Sequence, residues 1–294
     1  MSSTSWRHHY LPQFYLKGFA NENGLFKIFD ITKQEFIKSG KEFSTKSYFF
    51  EKDVNSVVKD GIKDDIIETK FFKKQDDRIA KIFNRIKSSS KVERFGITEM
   101  DMPDLQFFVS SLFWRVPVNY NQIKYLISTK ELHELGLLIK SKKDDKTIRD
   151  EKIETRIKND PFFFKSMKNI IPYLTFPRLL DCKTPLTILI FSEQLPAICS
   201  DNPVILEESI FPDIYFDDFI FPLTNQLVLI RSEKINNIMN TIKIDIDLIT
   251  LKQAKKYVSC TDGCYIGMLN KYFESNYSSL KELKTSVFYR LLRN

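Results

Sequence analysis

The chain has 294 residues, of which 43% are hydrophobic and 14% aromatic, so it can form a folded globular protein with a sizeable core. It carries 45 Lys and Arg against 38 Asp and Glu, and this net charge of +7 permits binding to nucleic acid without requiring it. Glycine occurs only 8 times, and the absence of G-x-G-x-x-G and G-K-[ST] patterns excludes the common phosphate-binding loops.

No segment of the sequence has the features of a membrane span or a signal peptide. The longest apolar runs are far shorter than a bilayer requires, and the N-terminus is polar. We therefore expect a cytoplasmic protein that makes no membrane contact. The four cysteines (Cys182, Cys199, Cys260 and Cys264) are irregularly spaced, which favours buried thiols over a zinc site.

The N-terminal run from Trp6 to Phe19 is unusually apolar and aromatic for a chain end. Pro12 favours extended backbone before it and a helix after it, which predicts a short helix over residues 13–19. His9 and Gln13 would then lie near the helix start, where free backbone N–H groups suit an anion or a polar network. His8 is expected to face solvent.

The hydrophobic periodicity predicts helices in the middle of the chain and strands on both sides of them. Strands are predicted at 25–30 and 35–38, as a hairpin, and at 48–50, 186–191, 197–200, 217–222 and 226–231. Helices are predicted at 64–88, 98–114, 120–128, 129–142, 146–158, 161–174, 236–241 and 247–258, the last capped by Asp247.

This order of elements predicts an α+β fold, in which central helices meet short, mostly antiparallel strands from the N-terminal and C-terminal parts. We interpret the chain as a single domain over residues 1–294. Its parts would be an N-terminal motif with a hairpin (1–50), a helical core (53–175), a strand-rich segment (186–231) and C-terminal helices (234–294).

Two charged residues occupy unusual places on the predicted central helices. Glu68 falls on or beside the apolar stripe of the 64–88 helix, and Arg115 closes the apolar 98–114 helix. Each needs a partner. Either the two pair as a structural cross-link, or Arg115 binds a phosphate or carboxylate while Glu68 helps to hold a divalent cation.

The sequence Ser200-Asp201-Asn202-Pro203 follows an apolar strand and has two interpretations. Asp and Asn before Pro are typical of a strand-ending turn that bonds nearby backbone N–H groups. In the other interpretation, Asp201 is a metal ligand or general base that Asn202 orients. His9 is likewise either a buried structural histidine or a general acid or base, because histidine titrates near neutral pH.

These landmarks resemble, in their order along nearly the whole chain, a largely bacterial family known as domain of unknown function 4238. The landmarks are His9 to Leu16, Glu68, Arg115-Val116-Pro117, Ser200 to Val204, Phe221-Pro222-Leu223 and a C-terminal helix around 254–258. The resemblance implies a single domain and draws attention to the same polar residues. It implies no particular reaction.

Three functions from different classes are compatible with these residues. The first is a hydrolase acting on phosphodiesters or nucleotides, such as a metal-dependent nuclease that serves as a toxin or phage-defence effector. The second is a non-catalytic module that binds a small anion or a protein partner, and the third is an interaction protein, including a homo-oligomer, whose polar groups are only cross-links. For the hydrolase, the candidates are catalytic His9, Asp201 and Asn202, substrate-binding Gln13 and Arg115, and Glu68 with Asp201 as ligands of Mg²⁺ or Mn²⁺; the substrate partner would be a nucleotide or nucleic acid.

Overall fold

The structure is a computed structural model that describes residues 7–52, 57–59, 62–64, 73–88, 97–175, 177–178, 183–191, 195–207, 213–236 and 241–293. Within these ranges the fold is α+β, as the sequence predicts, with nine α-helices and several small antiparallel sheets. Strands from the N-terminal and C-terminal parts share one of these sheets. In the same ranges, no helix is both long enough and apolar enough to cross a membrane.

The N-terminal part consists of short strands and one short helix. Its elements are β1 (Arg7–His9), α1 (Gln13–Leu16) with a following 3-10 turn (Lys17–Phe19), β2 (Leu25–Asp30), β3 (Glu35–Phe36), β4 (Glu42–Ser44), β5 (Phe50–Lys52), β6 (Val57–Lys59) and β7 (Ile62–Asp64). The predicted hairpin at 25–38 is present as β2 and β3. The helix predicted from Asp64 is wrong at its start, because Asp64 pairs with Val57 at the end of β7.

The middle of the chain is mostly helical. Its elements are α2 (Lys73–Ser88), α3 (Met102–Arg115), α4 (Tyr120–Thr129), β8 (Ile139–Lys140), β9 (Thr147–Ile148), α5 (Glu151–Lys158) and α6 (Pro161–Leu174). Side-chain oxygens define several starts: Thr98 and Asp101 form a capping box ahead of α3, and Asp160 accepts from the Phe162 amide at 2.8 Å ahead of α6.

Two predicted helices in this region are wrong wholly or in part. Residues 130–142 form turns and β8 instead of a helix, and Gly136, with φ +79°, lies in one of these turns. The predicted 146–158 helix begins only at Glu151, since Thr147 and Lys140 pair across the β8–β9 hairpin.

The C-terminal part alternates strands and helices. Its elements are β10 (Leu186–Ile190), β11 (Ile198–Ser200), β12 (Ile205–Leu206), β13 (Phe219–Pro222), β14 (Leu227–Arg231), α7 (Ile242–Lys252), β15 (Tyr257–Cys260), α8 (Gly263–Asn276), α9 (Leu280–Phe288) and a π-helical turn (Tyr289–Arg293). The predicted strands at 186–231 are present with ends shifted by two residues or fewer.

The predicted helix at 247–258 is right for 247–252, which belong to α7, and wrong beyond them, as is the C-terminal helix around 254–258 that served as a landmark of the family resemblance. Asp247 lies inside α7, bonded to Lys243 and Tyr265, and therefore does not cap a helix. Tyr257–Cys260 instead forms β15, which pairs with β2 on one side and β11 on the other. The predicted helix at 236–241 falls mainly on residues outside the described ranges.

Two hydrophobic clusters lie on opposite faces of the sheet β10-β14-β13-β12. Phe221 and Leu229 belong to the first cluster, with the N-terminal run and helices α2, α3, α4 and α6. Ile220 and Ile230, on the alternate side of the same strands, belong to the second, with α7 to α9. The two clusters thus share one sheet, while the division of 1–294 into four parts of a single domain stays a prediction.

Candidate functional site

The N-terminal run docks on the core through β1 and α1. His9 pairs with Phe50 and His8 with Glu51 across the β1–β5 ladder. The Tyr15 hydroxyl donates to the Pro222 carbonyl at 2.9 Å and its ring stacks on Phe221. His8 is 1% exposed, so its predicted exposure to solvent is wrong: pairing of β1 places it inside the protein.

Arg115 sits at the C-terminal end of α3 and connects three elements. One guanidinium nitrogen lies 3.2 Å from Asp76 Oδ1 on α2, and another donates to the His9 carbonyl at 3.1 Å. A carboxylate partner was expected for Arg115, and in the structure that partner is Asp76. Glu68, the partner favoured by the sequence analysis, lies outside the described residues. In the sequence, Asp76 follows Gln75, which lies on the apolar stripe of α2. That position was the signal that could have identified Asp76 as a partner of Arg115.

A small cavity lies beside Arg115. Its volume is about 10 Å³, enough for roughly one water molecule or one ligand oxygen. Its lining consists of histidine, tyrosine, amide and cationic side chains: His8, His9, Tyr10, Arg115, Tyr120, Lys168 and Asn169. Among these described lining residues there is no carboxylate. We call this the small cavity.

Lys168 is a buried cation that the sequence analysis missed. It lies on α6, is 3% exposed, and its Nζ is 5.1 Å from the centre of the Tyr120 ring. The Tyr120 hydroxyl donates to Glu51 Oε2 at 2.7 Å. Burial, with the Glu51 carboxylate, raises the pKa of Tyr120, so this phenol stays protonated. A lysine within the apolar sequence of α6 was the signal that could have found Lys168.

A larger cavity of about 150 Å³ borders the other side of Tyr10. We call it the large cavity. Its polar lining comprises Tyr10, Glu51, Asp201, Lys255, Lys256 and Tyr257, and its apolar lining Phe50, Pro117 and Val118. A dry cavity of similar volume can hold a molecule the size of benzene. Tyr10 lines both cavities, and its pKa is raised by burial and by nearby Asp201 and Glu51.

Asp201 anchors the end of β11 to the loop before β15. Its Oδ1 accepts from the Lys255 amide at 2.9 Å, and its Oδ2 accepts from the Lys256 and Tyr257 amides at 2.7 and 3.1 Å. Burial raises the pKa of Asp201, and these three amides oppose the shift because they favour the ionised carboxylate. This geometry is that of a backbone anchor, and one face of the residue also borders the large cavity.

The other predicted site residues are placed differently. Asn202 Nδ2 donates to the Gln253 carbonyl at 3.4 Å, so Asn202 extends the anchor and lines neither cavity. Gln13 is half-buried at the start of α1 and lines neither cavity. The structure therefore brings His9 and Arg115 to the small cavity and Asp201 to its neighbour.

The described residues contain no group of three or more His, Cys, Asp and Glu side chains that could hold a metal ion. Three of the approximately four lone-pair directions of the Asp201 carboxylate are already occupied by amides. Asp201 alone fits a divalent cation poorly. The proposed metal role of Glu68 falls outside the described residues, and the Mg²⁺ or Mn²⁺ site stays a prediction.

Residues from three of the sequence landmarks border the two cavities that share Tyr10, namely His9 and Tyr10, Arg115 and Pro117, and Asp201. The family described as "Protein of unknown function (DUF4238)" matches residues 7–257. The chain belongs to the DUF4238 family. The match covers β1, both cavities and Asp201, and it ends at the first residue of β15. No curated protein and no solved structure matches the chain.

Proposed function

We propose that this DUF4238 protein binds a small anionic ligand, a phosphate group of a nucleotide, at the two cavities beside Tyr10. Charge is the observation that carries the proposal. Among the described residues, four cationic side chains border the cavities (Arg115, Lys168, Lys255 and Lys256), against two carboxylates (Glu51 and Asp201). When Asp76, which pairs with Arg115, is added, these residues still comprise four cations and three carboxylates.

Burial strengthens this argument. Arg115 is 5% exposed and Lys168 is 3% exposed, so their charges act in a medium of low dielectric constant, where attraction to an anion exceeds that at the surface. The small cavity has room for one ligand oxygen and the large cavity for a ring. The proposed binding mode therefore puts an anionic oxygen near Arg115 and Lys168 and the rest of the ligand beside Lys255 and Tyr257.

Calorimetry with a nucleoside monophosphate, its parent nucleoside and inorganic phosphate tests the proposal. We expect the monophosphate to bind at least about tenfold more tightly than the nucleoside, because only the former presents a charged acceptor to Arg115 and Lys168. Lys168→Met should weaken the binding of the monophosphate about tenfold. Lys165→Met removes the same charge from the same helix outside the two cavities and should leave the affinity unchanged.

Equal affinity for the monophosphate and the nucleoside would contradict the proposal. So would equal effects of Lys168→Met and Lys165→Met, because the ligand would then respond to overall charge and not to the small cavity.

The second candidate is the hydrolase of phosphodiesters or nucleotides, and one observation favours it. Glu51 and Asp201 border the same large cavity as the Tyr10 side chain, and burial raises the pKa of Asp201, as suits a general acid. An effector role as a toxin or in phage defence belongs to this candidate, as does a requirement for Mg²⁺ or Mn²⁺.

Turnover of bis(nitrophenyl) phosphate, with Mg²⁺, with Mn²⁺ and with a chelator, tests the hydrolase. Glu51→Gln keeps an acceptor for Tyr120 and should lower turnover at least about a hundredfold if Glu51 transfers a proton. Glu42→Gln, on the exposed strand β4, is the matched control. No turnover by the wild-type chain under any of these conditions would leave anion binding as the function.

A further inference from the structure

A third cavity lies away from the N-terminal site, between the end of α3, α4, the turn at 130–136 and the end of α6. Its volume is about 480 Å³, within the range of small-molecule sites. It shares no lining residue with the small or large cavity. Most of its walls are apolar, formed by Trp114 and Tyr215 together with Leu126, Leu135, Ile171 and Leu174.

Hydrogen bonds hold the two aromatic walls in place. The Tyr215 hydroxyl receives a bond from Ser110 Oγ at 3.1 Å and one from Trp114 Nε1 at 2.9 Å, and it also bonds to the Thr175 hydroxyl. Tyr215 is 1% exposed and Trp114 is 4% exposed. Because the polar atoms of both rings are engaged with each other, the parts of the rings that reach the cavity are apolar and fixed in position.

The charges at the mouth of the cavity cancel in pairs. Lys130 Nζ lies 3.1 Å from Glu134 Oε1, and Arg178 pairs with Asp213. The described lining residues thus include two cations and two carboxylates, which together give no net charge to attract an ion. This balance distinguishes the third cavity from the N-terminal site.

Arg178 is the polar group best placed to orient a ligand. Its guanidinium lies 5.1 Å from the centre of the Tyr215 ring and 5.0 Å from that of Phe216, so the rings hold it in place. Within the described chain it makes one hydrogen bond, to Asp213, although a guanidinium has five N–H donors. The remaining donors can meet an acceptor atom on a ligand.

We propose that this third cavity is a binding site for an uncharged aromatic molecule that carries one hydrogen-bond acceptor. The ring lies between Trp114, Tyr215 and the leucines, and the acceptor takes a hydrogen bond from Arg178. The site is independent of anion binding beside Tyr10.

Fluorine NMR on chains labelled with fluorotryptophan tests this proposal. The sequence contains two tryptophans, Trp6 and Trp114, so Trp6→Phe leaves a single fluorine signal, from the wall of the cavity. Acetophenone has a ring and a carbonyl acceptor, while ethylbenzene has nearly the same shape without the acceptor. We expect acetophenone to shift the Trp114 signal saturably and to bind about tenfold more tightly than ethylbenzene.

Two variants locate the interaction. Arg178→Met should abolish the preference for acetophenone over ethylbenzene, and Arg156→Met, on the exposed face of α5, should preserve it. Leu174→Phe places a phenyl ring among the apolar walls, where it competes with the ring of the ligand, and should weaken the binding of both ligands. The proposal is overturned if neither ligand gives a saturable shift, if both bind equally to the wild-type cavity, or if Arg178→Met leaves the preference intact.

Discussion

The protein buries charged side chains in two regions, and it treats them differently. In the C-terminal region, Lys243 pairs with Asp247 at 2.5 Å, and Asp247 also accepts from the Tyr265 hydroxyl at 2.8 Å. Arg290 pairs with Asp245 at 2.9 Å. Each of these two pairs joins a buried carboxylate to a cation.

In the N-terminal site, by contrast, the described residues that border the cavities include more cations than carboxylates. Arg115 meets Asp76 and a backbone carbonyl, while Lys168 lies over the face of the Tyr120 ring and its Nζ donates to the Tyr120 hydroxyl at 3.4 Å. The difference separates two uses of buried charge. Ion pairs closed by opposite charges cross-link elements, whereas an excess of one sign beside a cavity is what an anionic ligand would neutralise.

The largest expected effect on stability is that of removing Asp247 from its pair with Lys243. Asp247→Ala should lower the free energy of unfolding by about 3–5 kcal/mol, because it leaves the charge of Lys243, which is 3% exposed, without a carboxylate. Urea denaturation measures this change. The double variant Lys243→Met with Asp247→Leu removes both charges and should recover most of the loss. An Asp247→Ala variant as stable as the wild type would contradict this distinction between the two regions.

Substitutions of Asp201 test whether this buried carboxylate is a structural anchor or part of the binding site. If it is an anchor, Asp201→Ala should lower the free energy of unfolding by about 2–4 kcal/mol, since three backbone amides lose their acceptor. Asp201→Asn retains one acceptor oxygen and should lose about half as much. An Asp201→Ala protein that keeps its stability and loses ligand binding would instead place Asp201 among the functional residues.

Lys168→Met should change the free energy of unfolding by no more than about 1 kcal/mol, because methionine replaces most of the buried stem and removes a cation from the side of a cavity. Chemical denaturation gives this value, and calorimetry on the same sample gives the affinity. Stability retained with affinity lost is the expected combination. A loss as large as that of Asp247→Ala would make Lys168 a cross-link.

The smallest effect concerns a carboxylate that borders no charged cluster. Asp30, opposite Tyr257 in the β2–β15 ladder, accepts from the Thr32 hydroxyl at 2.6 Å, which lowers the pKa of Asp30. Its stabilising contribution should be present above the unfolded-state pKa of about 4 and be lost as the pH falls through the lower folded-state pKa. Asp30→Asn should cost about 0.5 kcal/mol near neutral pH.

Denaturation of the wild type and Asp30→Asn over a pH series measures this dependence. The difference between the two chains should shrink on acidification. If the difference in free energy of unfolding between the two chains grew as the pH fell, folding would raise the pKa of Asp30 and not lower it.

Local sequence determined those elements whose signals lie within a few neighbouring residues. Pro161 after the cap Asp160 defined the start of α6, and the apolar run within Leu227–Arg231 defined β14. The sequence also identified Arg115 as a cation that needs a partner, because its helix is apolar over most of its surface.

Only the tertiary structure decided which groups meet. Tyr257–Cys260 became a strand because β2 and β11 offered free edges on both sides, and no local pattern reveals a partner more than two hundred residues away. Likewise, packing placed Asp76 beside Arg115 and brought Lys168 to the same cavity as His9. Helical periodicity specifies which face of an element is buried, but the identity of the facing side chains depends on how distant elements pack, and that packing built the site.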